Sequence, residues 1–149
     1  MRKRVLAVAS FGGHWQQLRE MRAAFEQHEV TYVSTRPGMD AEFALTRFDT
    51  IPDCNRNQPL RVVAALAKAV LITIRLRPHV VISTGAMPGL LLLFCGWLTG
   101  AKTIWIDSFA NPERMTMSGA YAKRFATHCL VQWEDLAKAE GVSYRGRVL

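Results

Sequence analysis

The chain has 149 residues, half of them apolar, with no low-complexity segment, which excludes a disordered or fibrous protein and leaves room for one domain with a real core. Nineteen basic against twelve acidic residues give a net charge of +7, a balance that suits an anionic membrane or a phosphorylated ligand. No nucleic acid partner is expected, because the basic residues are not interleaved with aromatics and match no reader motif.

Strand and helix patterns alternate along the chain, which predicts an α/β fold with a mainly parallel sheet. A first strand over Arg4–Ala9 runs into Gly12-Gly13. A helix follows over 14–27, with Leu18, Met21, Ala24 and Phe25 on one face. Strand two is Glu29–Ser34, and Thr35-Arg36-Pro37-Gly38 is a loop. A short helical or irregular piece spans 41–47, and Thr50-Ile51-Pro52 is a short strand cut off by its proline. A long helix over 60–76 is stopped by Pro78 and followed by a strand over 80–84. Residues 86–99 form an apolar helix ended by Gly100, and 102–107 form a strand. Ser108–Ser118 is a polar loop of a length that often marks function. A helix over 119–126, a strand over 128–132, a helix over 134–140 and a closing strand or tail over 143–149 complete the pattern. There is no repeat or linker, so one domain is expected over 1–149.

Cys54, Cys95 and Cys129 are an odd count without a Cys-x-x-Cys pair, which fits a reducing compartment and no disulfide framework. His14, His28, His79 and His128 are scattered without metal-ligand spacing, so no metal is expected. The basic start Met1-Arg2-Lys3-Arg4 precedes an apolar stretch too short for a signal peptide, and a cytoplasmic chain is expected.

Ligands of open parallel sheets bind at the carboxyl ends of the strands. Four such ends are loaded here: Ser10-Phe11-Gly12-Gly13-His14, Ser83-Thr84-Gly85, Asp107-Ser108-Phe109-Ala110-Asn111 and Gln132-Trp133-Glu134. Glycines before a helix let an anion approach its free N–H groups. The pair is neither Gly-x-Gly-x-x-Gly nor a Walker A loop, so no dinucleotide or other cofactor is expected. The plain alternative is a tight turn without a ligand. A neutral imidazole at position 14 can act as base or donor, or simply cap the helix. Asp107 can take a proton or orient a hydroxyl, or can cap a helix. Thr84-Gly85 is a second anion-friendly turn. Arg114 in the long loop can clamp a diphosphate or be an ordinary solvated arginine.

No Asp or Glu lies between Asp53 and Asp107, while Arg56, Arg61, Lys68, Arg75, Arg77 and Lys102 fall in that gap. Arg61, Lys68 and Arg75 recur every seven residues, a stripe along an otherwise apolar helix. Such a stripe fits side chains snorkelling at an anionic membrane surface, and fits equally a packed helix with its stripe in water. The apolar segment 86–99, with Leu91, Phe94 and Trp97, is too short to span a bilayer. It is either buried against the sheet or a patch dipping into the membrane interface.

Val5–Leu18, with its Ser-Phe-Gly-Gly-His-Trp-x-x-Leu core, resembles the start of bacterial PssD-type polysaccharide biosynthesis proteins. Those resemble the membrane-recruiting subunit of the eukaryotic two-part N-acetylglucosamine transferase that builds chitobiosyl-diphosphodolichol. Val81–Gly89, Ile106–Ala110 and Leu130–Trp133 match further signatures in order. The resemblance implies a Rossmann-like sheet with helices on both faces, the N-terminal, acceptor-side half of a GT-B glycosyltransferase such as MurG. A partner chain would bind the nucleotide-sugar donor. The acceptor would be a sugar on a polyprenyl diphosphate at the cytoplasmic face of the inner membrane, in exopolysaccharide or capsule biosynthesis. His14 is the first candidate base and Asp107 the second, although many relatives carry Glu in place of Asp107. Ser10, Gly12, Gly13, His14, Thr84, Gly85 and Arg114 would meet the acceptor or its diphosphate. Arg61, Lys68, Arg75, Leu91, Phe94 and Trp97 would face the membrane. The eukaryotic subunit carries an N-terminal anchor that this sequence does not show, so peripheral attachment is expected. Two rival readings are a non-catalytic subunit that recruits and activates a catalytic chain, and a plain ligand-binding module.

Overall fold

The computed structural model describes residues 1–148. Seven strands, β1 (Arg4–Val8), β2 (Glu29–Ser34), β3 (Phe48–Thr50), β4 (Val80–Ser83), β5 (Lys102–Ile106), β6 (His128–Val131) and β7 (Ser143–Tyr144), form one sheet among the described residues. Its order is β3-β2-β1-β4-β5-β6-β7, and each neighbouring pair is parallel. The connections are α1 (Gly13–Glu20), α2 (Met39–Glu42), α3 (Pro59–Leu76), α4 (Met87–Leu98), α5 (Met117–Ala122), α6 (Glu134–Glu140) and a 3₁₀ turn at Arg22–Ala24. This is a Rossmann-like α/β fold of the expected class.

The period of two in a strand divides β1 between the two sheet faces. Val5, Ala7 and Ala9 face Trp15, Leu18, Phe25 and Met39 on the α1 side. Leu6 and Val8 face Ala65, Ala69 and Ile72 of α3 and Leu92 and Leu93 of α4. Both faces are covered, so β1 reads as a continuous apolar run. A third, smaller cluster joins Leu136 and Ala137 of α6 to Val131 and Met115.

Several boundaries differ from the sequence expectation. The helix expected over 14–27 stops at Glu20, because the Met21 N–H bonds back to Leu18 at 3.2 Å and the chain tightens into the 3₁₀ turn. That turn carries Phe25 into the core, 6.3 Å from the Tyr32 ring. The piece expected over 41–47 is a single turn, α2, entered through Gly38 and followed by Ala44 at φ 53°. β3 lies at 48–50 rather than 50–52, pairing Tyr32, Val33 and Ser34 with Phe48, Asp49 and Thr50. The helix expected over 119–126 begins earlier, at Met117, because Thr116 caps it by accepting from Gly119 N–H at 3.0 Å. The closing segment forms β7 and a tail, and its last expected residue, Leu149, lies outside the described residues.

Candidate functional site

Strand order reverses between β1 and β4. The chain leaves β1 for β2 and β3, then returns through α3 to β4 on the other side of β1. This is the topological switch point at which open parallel sheets hold ligands. Two of the four expected strand-end motifs meet here.

The first is the turn from β1 into α1. Gly12 adopts φ 112°, ψ −141°, a region that side chains disfavour. No side chain caps α1, and its first bond runs from Gln16 N–H to Gly12 O at 3.0 Å. The N–H groups ahead of Gln16 therefore have no helical acceptor and carry the positive end of the helix dipole. A Cβ placed on Gly12 or Gly13 meets nothing within 4 Å, so the space beside the turn is open. Ser10 is 92% buried by its 8% exposure, and its hydroxyl has no partner among the described residues, as is also true of Ser34 Oγ and Trp15 Nε1. Buried polar groups without partners are rare, and these three adjoin the ends of β1 and β2.

The second is the turn from β4 into α4. Thr84 is fully buried, and Gly85 takes φ 144°. Ala86 follows at φ 67°, ψ 170°, a region essentially reserved for glycine. Holding a residue there costs about 1–3 kcal/mol. α4 also starts without a side-chain cap and has a proline in its first turn.

His14 joins the two turns. Its Nδ1 lies 3.1 Å from the Thr84 carbonyl oxygen. A carbonyl only accepts, so Nδ1–H is the donor, and in the neutral ring Nε2 keeps a free lone pair. The lacing is reciprocal, because the Thr84 hydroxyl donates to the His14 carbonyl oxygen at 2.6 Å. A Cβ on Gly85 would overlap the imidazole, so the close approach of ring and backbone depends on glycine. Half-buried and with Nε2 unpartnered among the described residues, His14 is oriented by one nitrogen and available through the other.

Asp107, the second candidate base, lies in a different setting. Asp107 is 1% exposed. Its Oδ1 accepts from Trp105 Nε1 at 3.0 Å and from the Thr116 hydroxyl at 2.6 Å, and its Oδ2 accepts from Thr116 N–H at 2.9 Å. A Cβ on Gly119 would overlap the carboxylate, so α5 is packed against it. Asp107 therefore fastens the long loop and the start of α5 to β5. Burial, followed by the charge of Asp107, pushes the neighbouring Cys129 thiol up to about 12.

Beside Asp107 runs a buried amide relay that sequence reasoning missed in part. Gln132 Nε2 donates to Gln17 Oε1 and, at 3.0 Å, to the Asp107 carbonyl oxygen. Gln17 Oε1 also accepts from Phe109 N–H at 3.0 Å. Gln132 lies in an expected strand-end motif, but Gln17 carried no such mark. Its one signal is its place one turn after His14 on α1. Arg114 is exposed, and no hydrogen bond or ion pair among the described residues joins it to the glycine turn.

The residues expected at a membrane surface divide. Lys68 pairs with Asp49 of β3 at 3.1 Å, and Arg75 pairs with the same carboxylate. Burial alone would raise the Asp49 pKa, but hydrogen bonds from Lys68, Arg75 and Thr50 N–H outweigh it and hold the carboxyl below its ordinary value. Two of the three stripe residues are thus tied to the sheet edge, and Arg61 alone of the three is an exposed cation without an ion pair among the described residues. Leu91 is half-buried against the core. Phe94 and Trp97 are exposed and pack with Phe125 in edge-on and tilted contacts, ring centres 5.5–5.7 Å apart. The strongest surface feature is apolar. Leu60 (85% exposed), Val63, Val70, Leu71 and Ile74 of α3 lie in solvent beside α4. No helix among the described residues is long and apolar enough to cross a membrane.

Sheet order and switch-point turns define a Rossmann-like domain. Among solved structures, MurG of Acinetobacter baumannii matches with a TM-score of 0.72 at 17% identity, covering 87% of this chain and 41% of that one. UDP-N-acetylglucosamine 2-epimerase of Rickettsia bellii matches with a TM-score of 0.77 at 11% identity, covering 99% of this chain and 46% of that one. The chain belongs to the family described as "Oligosaccharide biosynthesis protein Alg14 like", whose profile matches residues 22–148. A curated relative, the UDP-N-acetylglucosamine transferase subunit ALG14 of Eremothecium gossypii, is 33% identical over 69 residues, 41% of this chain and 30% of the relative. The chain spans less than half the length of each of these three proteins that it matches.

Proposed function

We propose that this chain is the acceptor-side half of a split, inverting glycosyltransferase, with the nucleotide-sugar donor held by a separate chain. The observation that carries the reading is His14, clamped through Nδ1 at the junction of two uncapped helix starts. Inversion needs a base for the acceptor hydroxyl and electrostatic stabilisation of charge elsewhere in the site. The free Nε2 suits the first task. The open N–H groups at the start of α1, beside Gly12 and Gly13, suit the diphosphate of a polyprenyl-linked acceptor, which Thr84 and Gly85 would border. Arg114 would reach that diphosphate from its loop. The family membership, and the relative's name as a transferase subunit, support a role in building lipid-linked oligosaccharide or polysaccharide, exopolysaccharide or capsule included.

The exposed apolar face of α3 and α4, with Arg61 at its side, would rest on the cytoplasmic face of an anionic membrane and bring the turn to a lipid-borne substrate. Co-purification with a donor-binding chain, then transfer assays with a panel of nucleotide sugars on a polyprenyl-diphosphate acceptor, tests the assignment. The reconstituted pair is expected to transfer and either chain alone is not. Sedimentation with anionic vesicles tests the surface, and Leu71→Asp is expected to release the chain from them.

A second reading is a non-catalytic subunit that recruits and activates a catalytic chain. One observation favours it: the curated relative is named as a subunit of a transferase. Transfer by the partner alone, merely raised by this chain and unchanged by His14→Ala, would establish it in place of the first.

A further inference from the structure

A cavity of about 550 Å³ lies at the other end of the sheet, where β2 begins and α1 ends. That volume lies in the range of small-molecule sites. Its wall carries Arg2, Arg19, Arg22 and Arg47, with Tyr32 and Phe43 as aromatic sides. Arg47 is paired with Glu29. Arg2, Arg19 and Arg22 have no carboxylate partner among the described residues, and Glu26 is the other acid of the wall. Three unpaired guanidinium groups thus stand against one carboxylate. Arg19 sits over the Phe43 ring, 4.3 Å from its centre, a contact that holds the guanidinium in place. Its place in the last turn of α1 also complements the helix dipole. The dipole does not account for Arg2, which comes from the segment ahead of β1. Tyr32 adds a hydroxyl donor, since burial pushes its pKa up and Arg22 only partly offsets that. Guanidinium forks match phosphate oxygens in pairs, and three forks outnumber the two oxygen pairs that a single phosphate offers, which suits an anion with a second phosphate group.

We propose that the Arg2–Arg19–Arg22 groove binds a small anion carrying at least two phosphate groups, at a site separate from the β1–β4 turn. The inference does not depend on the function proposed above. Inorganic pyrophosphate, titrated into ¹⁵N-labelled chain at fixed ionic strength and followed by amide shifts, separates the two sites. Saturable shifts are expected at Arg22, Val30, Tyr32 and Thr46, with a midpoint at least tenfold below that of orthophosphate. In Arg2→Ala/Arg22→Ala the groove shifts should weaken tenfold or more, while any shifts at Gly12–His14 persist. A thermal melt checks that the variant folds, and Arg22→Gln alone gives the same readout if the double variant does not. Shifts confined to the β1–β4 turn, groove shifts unchanged in a folded variant, or an equal response to sulfate would each overturn the proposal.

Discussion

Two ionisable side chains stand beyond the ends of β1 and β5, with β4 between those strands in the sheet, and the fold treats them oppositely. His14 spends one nitrogen on a backbone carbonyl and leaves the other unpartnered among the described residues. Asp107 is sealed, with both oxygens engaged by Trp105 and Thr116. A group that moves protons needs a free lone pair within reach of substrate, whereas a fully bonded buried carboxylate is a fastener. The two were rivals as the base of the same reaction. Their surroundings separate them.

The largest expected effect breaks the comparison outright if it fails. His14→Ala should reduce transfer by the reconstituted pair about 10²- to 10⁴-fold with the melting temperature nearly unchanged. Retained activity would remove the base assignment. Asp107→Asn should do the reverse. It turns an amide N–H toward donors that now find a carboxylate, at a cost of about 2–3 kcal/mol. That corresponds to a fall of roughly 5–10 °C in melting temperature for a chain of this size, with transfer per folded molecule largely kept. A large loss of turnover in folded Asp107→Asn would give this carboxylate a chemical role after all.

Smaller changes sharpen the contrast. Ala86→Gly should relieve the strained start of α4 and raise stability by about 1 kcal/mol, read by denaturant melts. If the strain helps to hold the turn against His14, transfer will fall even as stability rises. Asp49→Asn should cost under about 1 kcal/mol at neutral pH, since its partners are partly exposed. The Asp49 carboxyl is held below its unfolded value, so its contribution is present above the ordinary carboxylate range, near pH 4, and is lost as pH falls through the folded value. The variant should therefore show a shallower loss of stability in acid than the parent chain.

Much of this was legible along the chain because it is local. Alternation of strand and helix, a continuous apolar β1 and the proline beyond the end of α3 each act within a few residues. Gly12-Gly13-His14 announced a turn for the same reason. Where neighbours in space decide, the reading fell short. Asp107 looked reactive because Trp105 and Thr116 are not recognisable in sequence as its partners. The period-seven stripe on α3 looked like a membrane face because Asp49, which holds Lys68 and Arg75, lies on another element. Gln17 gave no sign of the buried relay to Gln132, 115 positions away.

The sequence by itself determined the elements, their parallel pairing class and the strand ends where chemistry could occur, since hydrophobic period and turn residues are short-range codes. Tertiary structure alone decided which of those ends meet. The order β3-β2-β1-β4 puts Thr84 and Gly85 against His14 across 70 positions of chain, and it buries Asp107 under α5. Availability of a lone pair is a property of the packed neighbourhood, and no window of sequence contains that neighbourhood.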